Sequence, residues 1–426
     1  MKKQFAVFLI LLCIAASPAW AQQPVLKNGL PENNRFSAER LKRVDALIQQ
    51  YIDSNWIAGA IALVAKDGNI VYHKALGYDD REKNKTLQKD AIWRIASQTK
   101  AITSVGVMML YEEGKILLDE PISKYIPAFR KPVVLDKFNK ADTTYTTVPA
   151  KKEISIRELL THTSGIGYAQ IGSETMNAIY AKAGVVGGIG LKGGKLGDNI
   201  LKLAGLPLVH QPGEKWTYGL NTDVLGYLIE VVSGLSLDAF FRQRIFDPLG
   251  MKDTYFYLPA EKHSRLAMLH SEDNRKKAVN TPEMITVNGS FYRDYPIFSD
   301  GSFYSGGGGL VSTAYDYAVF MQLLLNKGEY NGKRLLSRHS IDMMIQNQTG
   351  ELRQSGFGLG FDIVTERVAA KTVLSPGTFS WGGMFASSYW IDPKEKIVAQ
   401  FVLQQYPFTH GEIAEKFKVA VYQALQ

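Results

Sequence analysis

Strand-like sequence stands at opposite ends of this chain. Residues 58–65 and 70–76 are apolar, β-branched runs separated by Asp67-Gly68, a dipeptide that favours a two-residue hairpin. Near the other terminus, residues 387–391 and 396–404 repeat the pattern around a Pro393-Lys394-Glu395 turn. Strands so far apart bury their apolar faces most simply against one another. The pattern therefore predicts one antiparallel sheet assembled from both chain ends. Helical spacing of Leu41, Val44, Leu47, Ile48, Tyr51 and Ile52, with Ser37 as N-cap, predicts a flanking helix over 38–52, and a last helix covers 411–425. The expected fold is α+β: a sheet subdomain from about 37–96 and 355–426, flanked by helices, and a mainly helical lobe over about 97–354.

The first 21 residues read as a leader rather than as part of the fold. Lys2 and Lys3 form a positive region, 5–16 is apolar, and Ala19-Trp20-Ala21 is a small-x-small cleavage site. Cleavage after Ala21 starts the mature chain at Gln22 and sends it to the periplasm or the medium. The apolar run is too short to cross a bilayer, so no transmembrane segment is expected once the leader is removed. Leu12 is too bulky for a lipoprotein signal at Cys13. Cys13 is the only cysteine, so the mature chain is expected to hold neither disulfide nor thiolate metal site.

The formal charge is +8, of which Lys2 and Lys3 supply two. The other basic residues are scattered in short pairs such as Lys151-Lys152, without the clustered stripe that nucleic-acid binding needs. No His-Glu-x-x-His and no Gly-x-Ser-x-Gly occurs, which sets aside zinc hydrolysis and a nucleophile elbow. No cofactor is expected. Residues 184–197 hold seven glycines, and Gly188, Gly190 and Gly193 match a dinucleotide fingerprint in spacing. That pattern needs a preceding strand and an acidic residue about 20 positions on. Neither is present, and the stretch reads as a flexible surface loop.

The chemistry concentrates at Ser97-Gln98-Thr99-Lys100. This Ser-x-x-Lys opens an apolar segment, 101–111, that ends at Gly114 and reads as a buried helix. Positions i and i+3 share a helix face, so the hydroxyl and the amine meet. A serine hydroxyl is a poor nucleophile until a base takes its proton. Burial against an apolar helix favours the neutral amine that can act as that base. The alternative is a capping Ser97 with Lys100 snorkelling outward. Ile102, Val105, Met108 and Met109 oppose it, because they leave little of the helix exposed.

With these residues in place the sequence resembles the serine β-lactamase-related family, in its class C and esterase branch. The likeness rests on Ile95-Ala96-Ser97-Gln98-Thr99-Lys100, on the stretch 156–166 containing Leu160-Thr161-His162-Thr163-Ser164-Gly165, on Pro212-Gly213-Glu214-Lys215-Trp216-Thr217-Tyr218 leading into Asp223-Val224-Leu225-Gly226, on Phe246-Asp247-Pro248-Leu249-Gly250-Met251, and on Trp381-Gly382-Gly383. It runs in order from about residue 37 to the end of the chain. The resemblance implies Ser97 as nucleophile, Lys100 and Tyr218 as the proton-handling pair, and an oxyanion hole from the backbone N–H groups of Ser97 and Met384. It places Trp381, Gly382 and Gly383 on the substrate. His162 fits no triad spacing and is expected to bond backbone locally.

Two departures matter. The β-lactamase pattern wants Tyr-x-Asn, whereas Asn221 falls one place late after Tyr218-Gly219-Leu220, which turns its amide away. The third motif usually offers a cation where Trp381 stands. An indole gives an apolar wall and one donor but no charge for a substrate carboxylate. A neutral ester of short or medium acyl chain therefore fits better than a penicillin. The expectation is an exported serine carboxylesterase acting on a small-molecule ester or amide. Its alternatives are a β-lactamase or D,D-peptidase, and, in another class, an idle binding protein of the same fold. The oligomeric state is not legible.

Overall fold

The computed structural model describes residues 23–286, 291–297 and 301–426. The leader expected over 1–21 lies outside the described residues. Helix α1 (Ala38–Asp53) starts where the Ser37 hydroxyl accepts the Arg40 N–H. Strands β1 (Gly59–Lys66) and β2 (Asn69–Asp80) are joined through Asp67 and Gly68 at φ +49° and +77°, the left-handed pair a tight hairpin turn requires. Helices α2 (Thr99–Glu112), α3 (Asn221–Ser233) and α4 (Ala314–Leu325) follow. Strands β3 (Phe379–Gly383), β4 (Ser387–Asp392) and β5 (Ile397–Val402) and helix α5 (Glu412–Tyr422) end the chain.

The main sheet runs β2-β1-β5-β4-β3, each neighbour antiparallel. The two chain ends meet at its centre, where Lys66 pairs with Ile397 and Ile61 with Val402. Short strands extend both edges, Asp362–Ile363 and Gly356–Phe357 beyond β3 and Lys27–Asn28 beyond β2. The last of these pairs parallel, so the sheet is not antiparallel throughout.

Side-chain alternation explains why the central strands are apolar without a break. Ala60, Ala62 and Val64 face α1 and α5, in a cluster with Val44, Ile48, Trp390, Phe401 and Phe417. Ile61, Leu63 and Ala65 face the other way, into a core shared with Ile102, Tyr317, Phe320 and Tyr389. Each fully buried large side chain stabilises by about 1.5–3 kcal/mol relative to exposure. With helices on both faces, both halves of the alternation must be apolar. Helix α4 packs directly on β1, β4 and β5.

The stretch 97–354 is less helical than its sequence suggests. Among its described residues are four short antiparallel strand pairs, Val133–Asn139 with Thr144–Pro149, His270–Glu272 with Ala278–Asn280, Met284–Ile285 with Phe291–Tyr292, and Glu329–Tyr330 with Lys333–Arg334. Among the described residues no single helix is long and apolar enough to cross a membrane.

Candidate active site

The turn that carries Ser97 is clamped before helix α2 begins. Trp93 and Arg94 pair antiparallel with Ser312 and Val311, and the Ile95 N–H donates to the Leu310 carbonyl at 3.1 Å. Ala96, buried, then takes φ +45°, a left-handed conformation that costs a non-glycine residue ~1–3 kcal/mol. Ser97 follows in a short 3₁₀ turn, and α2 starts two residues later. The Leu310 N–H donates to the Thr99 hydroxyl at 3.1 Å, and the Thr103 hydroxyl donates to the Gly306 carbonyl at 2.8 Å. The helix start is thereby stitched to the segment Gly306-Gly307-Gly308-Gly309.

Lys100 is buried, and its Nζ donates to the Ser97 Oγ at 3.2 Å and to the Gly307 carbonyl at 2.5 Å. The Tyr218 hydroxyl donates to the same Oγ at 2.7 Å. Residues 121 positions apart thus converge on one oxygen. The Lys100 Nζ also lies 4.8 Å from the centre of the Tyr218 ring and 5.6 Å from that of Tyr168, and the two rings stack at 5.5 Å. Burial pushes the Tyr168 phenol far above its ordinary range, with the neighbouring Tyr218 and Asp223 adding to the effect.

Strand β3 forms the opposite wall. Trp381, Gly382, Gly383 and Met384 line, with Ser97 and Tyr218, a cavity of about 600 Å³. The Trp381 ring stands 5.6 Å from that of Tyr218 and 5.5 Å from that of Phe357. A Cβ at Gly383 would sit 2.6 Å from the Ile95 carbonyl oxygen, so only glycine lets the strand close on the nucleophile turn. The remaining wall comes from Tyr168, Gln170, Ile171, Gly187, Ile189, Phe291 and Tyr406. Among the described lining residues none carries a formal charge.

The glycine-rich stretch 184–197 is a packed wall rather than a free surface loop. Gly187, Gly188 and Gly190 are buried. A Cβ at Gly188 would meet the Ser305 hydroxyl at 2.8 Å, and one at Gly190 would meet the Phe291 Cβ at 2.6 Å. Small residues there let the loop lie flat against Phe291 and Ser305. Residues 293–295 are anchored in turn by buried Arg94, which donates to the carbonyls of Tyr295 at 2.7 Å and Arg293 at 2.5 Å, and also to that of Ala267 at 2.8 Å.

His162 does not bond backbone locally through its ring. Its Nδ1 accepts the Asn221 side-chain amide at 2.9 Å, and the ring packs 5.0 Å from that of Tyr218. Burial holds this imidazole far below its ordinary range, with Lys100 and Arg353 adding to the effect, so it is neutral. Asn221 faces His162 and Ser164 and is absent from the cavity wall, as its shifted position implied. Sequence reasoning passed over Tyr168, Phe291, Tyr406 and the run Gly306–309. The glycine run was the available signal. None of the four has a left-handed φ, so their role is close approach: a Cβ at Gly307 would lie 2.3 Å from an Asp223 carboxylate oxygen.

Comparison with known proteins gives the family and the fold. The family model described as Beta-lactamase matches residues 44–423. Esterase EstB of Burkholderia gladioli is 31% identical over 369 residues, covering 84% of this chain and 88% of that protein. The solved structure of EstCE1, described as a hydrolase with promiscuous acyltransferase activity, superposes with a TM-score of 0.77 at 27% identity, over 90% of this chain and 99% of that one. Simvastatin synthase (LovD) from Aspergillus terreus shares the fold, with a TM-score of 0.74 at 24% identity over 91% and 98% of the two chains.

Proposed function

The chain belongs to the beta-lactamase family of serine hydrolases, and from that premise we propose that it is a carboxylesterase acting through a Ser97 acyl-enzyme on neutral esters. The observation that carries this reading is the uncharged, aromatic wall around Ser97, with Trp381 where a carboxylate-binding cation would otherwise stand. The acyl chain is short or medium, and the alcohol part fills much of the remaining space. A cavity of about 600 Å³ is of the size that encloses a drug-sized ligand.

The proposed chemistry follows from the contacts at Oγ. Ser97 attacks the ester carbonyl carbon, and its proton passes to the Lys100–Tyr218 pair, which enters the step short of one proton, with Lys100 as the neutral amine, and holds Oγ from two sides at 3.2 and 2.7 Å. The carbonyl oxygen, now an oxyanion, takes the N–H groups of Ser97 and Met384, and fixed donors of this kind stabilise a transition state by ~3–4 kcal/mol. The carbon–oxygen bond to the alcohol then breaks and the pair returns the proton to the leaving alkoxide. Water repeats the sequence on the acyl-enzyme and frees the acid and Ser97. An alcohol in place of water transfers the acyl group instead, which is the activity named for EstCE1. We also place the mature chain outside the cytoplasm, on the strength of the leader. Amino-terminal sequencing of the secreted protein should begin at Gln22.

The deciding experiment compares hydrolysis of p-nitrophenyl butyrate and of a chromogenic cephalosporin, with Ser97→Ala as control. Ester turnover well above cephalosporin turnover, lost in the variant, supports the reading. Faster cephalosporin turnover overturns it in favour of a β-lactamase. A folded protein with neither activity overturns it in favour of an idle binding protein.

A further inference from the structure

Asp223 is a buried carboxylate that the reaction above does not use. It stands in the first turn of α3, behind Lys100 and away from the cavity wall. One carboxylate oxygen accepts the Ser305 hydroxyl at 2.6 Å and the Gly307 N–H at 3.2 Å. The other is buried and has no hydrogen-bond partner among the described residues. Burying a carboxylate and leaving one oxygen unsatisfied is costly, and a nearby positive charge is the usual compensation. Lys100 is the charged group that faces it, from α2, and Tyr168 is the other titratable neighbour. Burial raises the Asp223 carboxyl above the usual range, while the Lys100 ammonium opposes that shift.

One glycine connects the two charges. Gly307 donates its N–H to Asp223 and accepts the Lys100 Nζ–H on its carbonyl, at 2.5 Å. The carboxylate lies against the Gly307 Cα, in space that any side chain would fill. Glycine is the one residue that lets the carboxylate clamp this peptide.

We propose that Asp223 is a positioning residue for Lys100: it fixes the Gly307 peptide so that its carbonyl holds the Lys100 Nζ against Ser97, and it supplies the buried counter-charge for the ammonium that forms when Lys100 takes the Ser97 proton. The inference rests on Ser97 and Lys100 acting as a nucleophile and its proton acceptor. It makes the four-glycine run part of the catalytic apparatus at one remove, and it predicts that charge and placement are separable.

The test uses a fluorophosphonate probe, which reports the Ser97 nucleophile without knowledge of the natural ester. The Oγ–P bond forms, the P–F bond breaks with loss of fluoride, and the hydroxyl proton leaves to the Lys100–Tyr218 pair. Labelling rates are measured across pH for the parent, Asp223→Asn and Gly307→Ala, together with denaturation midpoints. Asp223→Asn should label about tenfold or more slowly, with the acid limb of its profile moved to lower pH because the ammonium has lost its counter-charge. Gly307→Ala keeps both charges and displaces the peptide, so it should slow labelling without that move. A purely structural role would lower the midpoint and leave the limb in place. Labelling of both variants at the parent rate, with an unmoved limb, overturns the role of Asp223 alone. If Asp223→Asn does not fold, a parent-like rate in Gly307→Ala overturns it equally. A parent that is not labelled overturns the nucleophile reading and this inference with it.

Discussion

A single methyl group at Gly383 tests how the two walls of the site are held in register. In Gly383→Ala the new Cβ would lie 2.4 Å from the Ser387 hydroxyl and 2.6 Å from the Ile95 carbonyl oxygen. The hydroxyl can rotate away. The carbonyl cannot, because it belongs to the backbone two residues before Ser97. Real Cβ atoms keep at least 3.0 Å, so strand β3 and the nucleophile turn must part by about 0.4 Å or more. Gly383 has no left-handed φ, so the change adds no backbone strain and the effect is steric alone. Ser97 lies on one side of this contact and Met384 on the other, so their two N–H groups separate. Misplacement of about 1 Å costs catalysis up to about 10²-fold. A shift near half that size should lower kcat about tenfold, or ~1.4 kcal/mol in the barrier. KM should change little, because the aromatic wall remains. Overpacking should cost ~1–3 kcal/mol of stability. Steady-state hydrolysis of p-nitrophenyl butyrate and a urea titration measure both effects. A variant within twofold of the parent in kcat would refute the claim that this contact sets the oxyanion geometry.

Tyr218→Phe removes the 2.7 Å hydrogen bond to Ser97 and keeps the ring against Tyr168 and Trp381. Ester turnover should fall ~10²–10⁴-fold with a denaturation midpoint close to that of the parent, and a loss under tenfold would leave Lys100 as the sole proton carrier. Trp381→Lys places a cation on the wall, so the ratio of cephalosporin to ester turnover should rise, about tenfold or more; an unchanged ratio removes the account of this position. Stability should fall on acidification. Burial pushes His73 and His270 down to about 4, below their ordinary 6.5. Between those values the unfolded chain binds the extra protons, so this contribution is complete above about pH 6.5 and is lost as pH falls toward 4. Urea midpoints measured across that range should drop, and His270→Gln should flatten part of the slope. A flat parent profile contradicts the burial of neutral imidazoles.

Much of the scaffold was legible because its signals are local. Asp67-Gly68 specified the hairpin, Ser37 capped α1, and the apolar strands at both ends specified a sheet covered on both faces. The parallel edge strand Lys27–Asn28 gave no warning, since two exposed residues carry no pattern. In the site, Ser97 and Lys100 were readable because helix spacing alone brings them together, and the meeting with Tyr218 came only through the family resemblance. The loop 184–197 was misread because glycine signals both freedom and close approach, and only the three-dimensional neighbours, Phe291 and Ser305, decide between them. His162 was misplaced for a similar reason. Its partner Asn221 is 59 residues away, and no local spacing encodes that contact.

The strand order has a consequence for how such a chain is made. β5 lies between β1 and β4, so the centre of the sheet is among the last parts to be synthesised. The hairpin of β1 and β2 can close early from local contacts, but the far edge of β1 stays without a partner until Ile397–Val402 has emerged. That edge is apolar on both faces, the kind of surface that recruits other chains. Synthesis therefore outruns assembly. The sheet cannot be completed from the amino terminus forward, and a polypeptide cut short before Ile397 keeps an open template at the position where the finished protein has its middle.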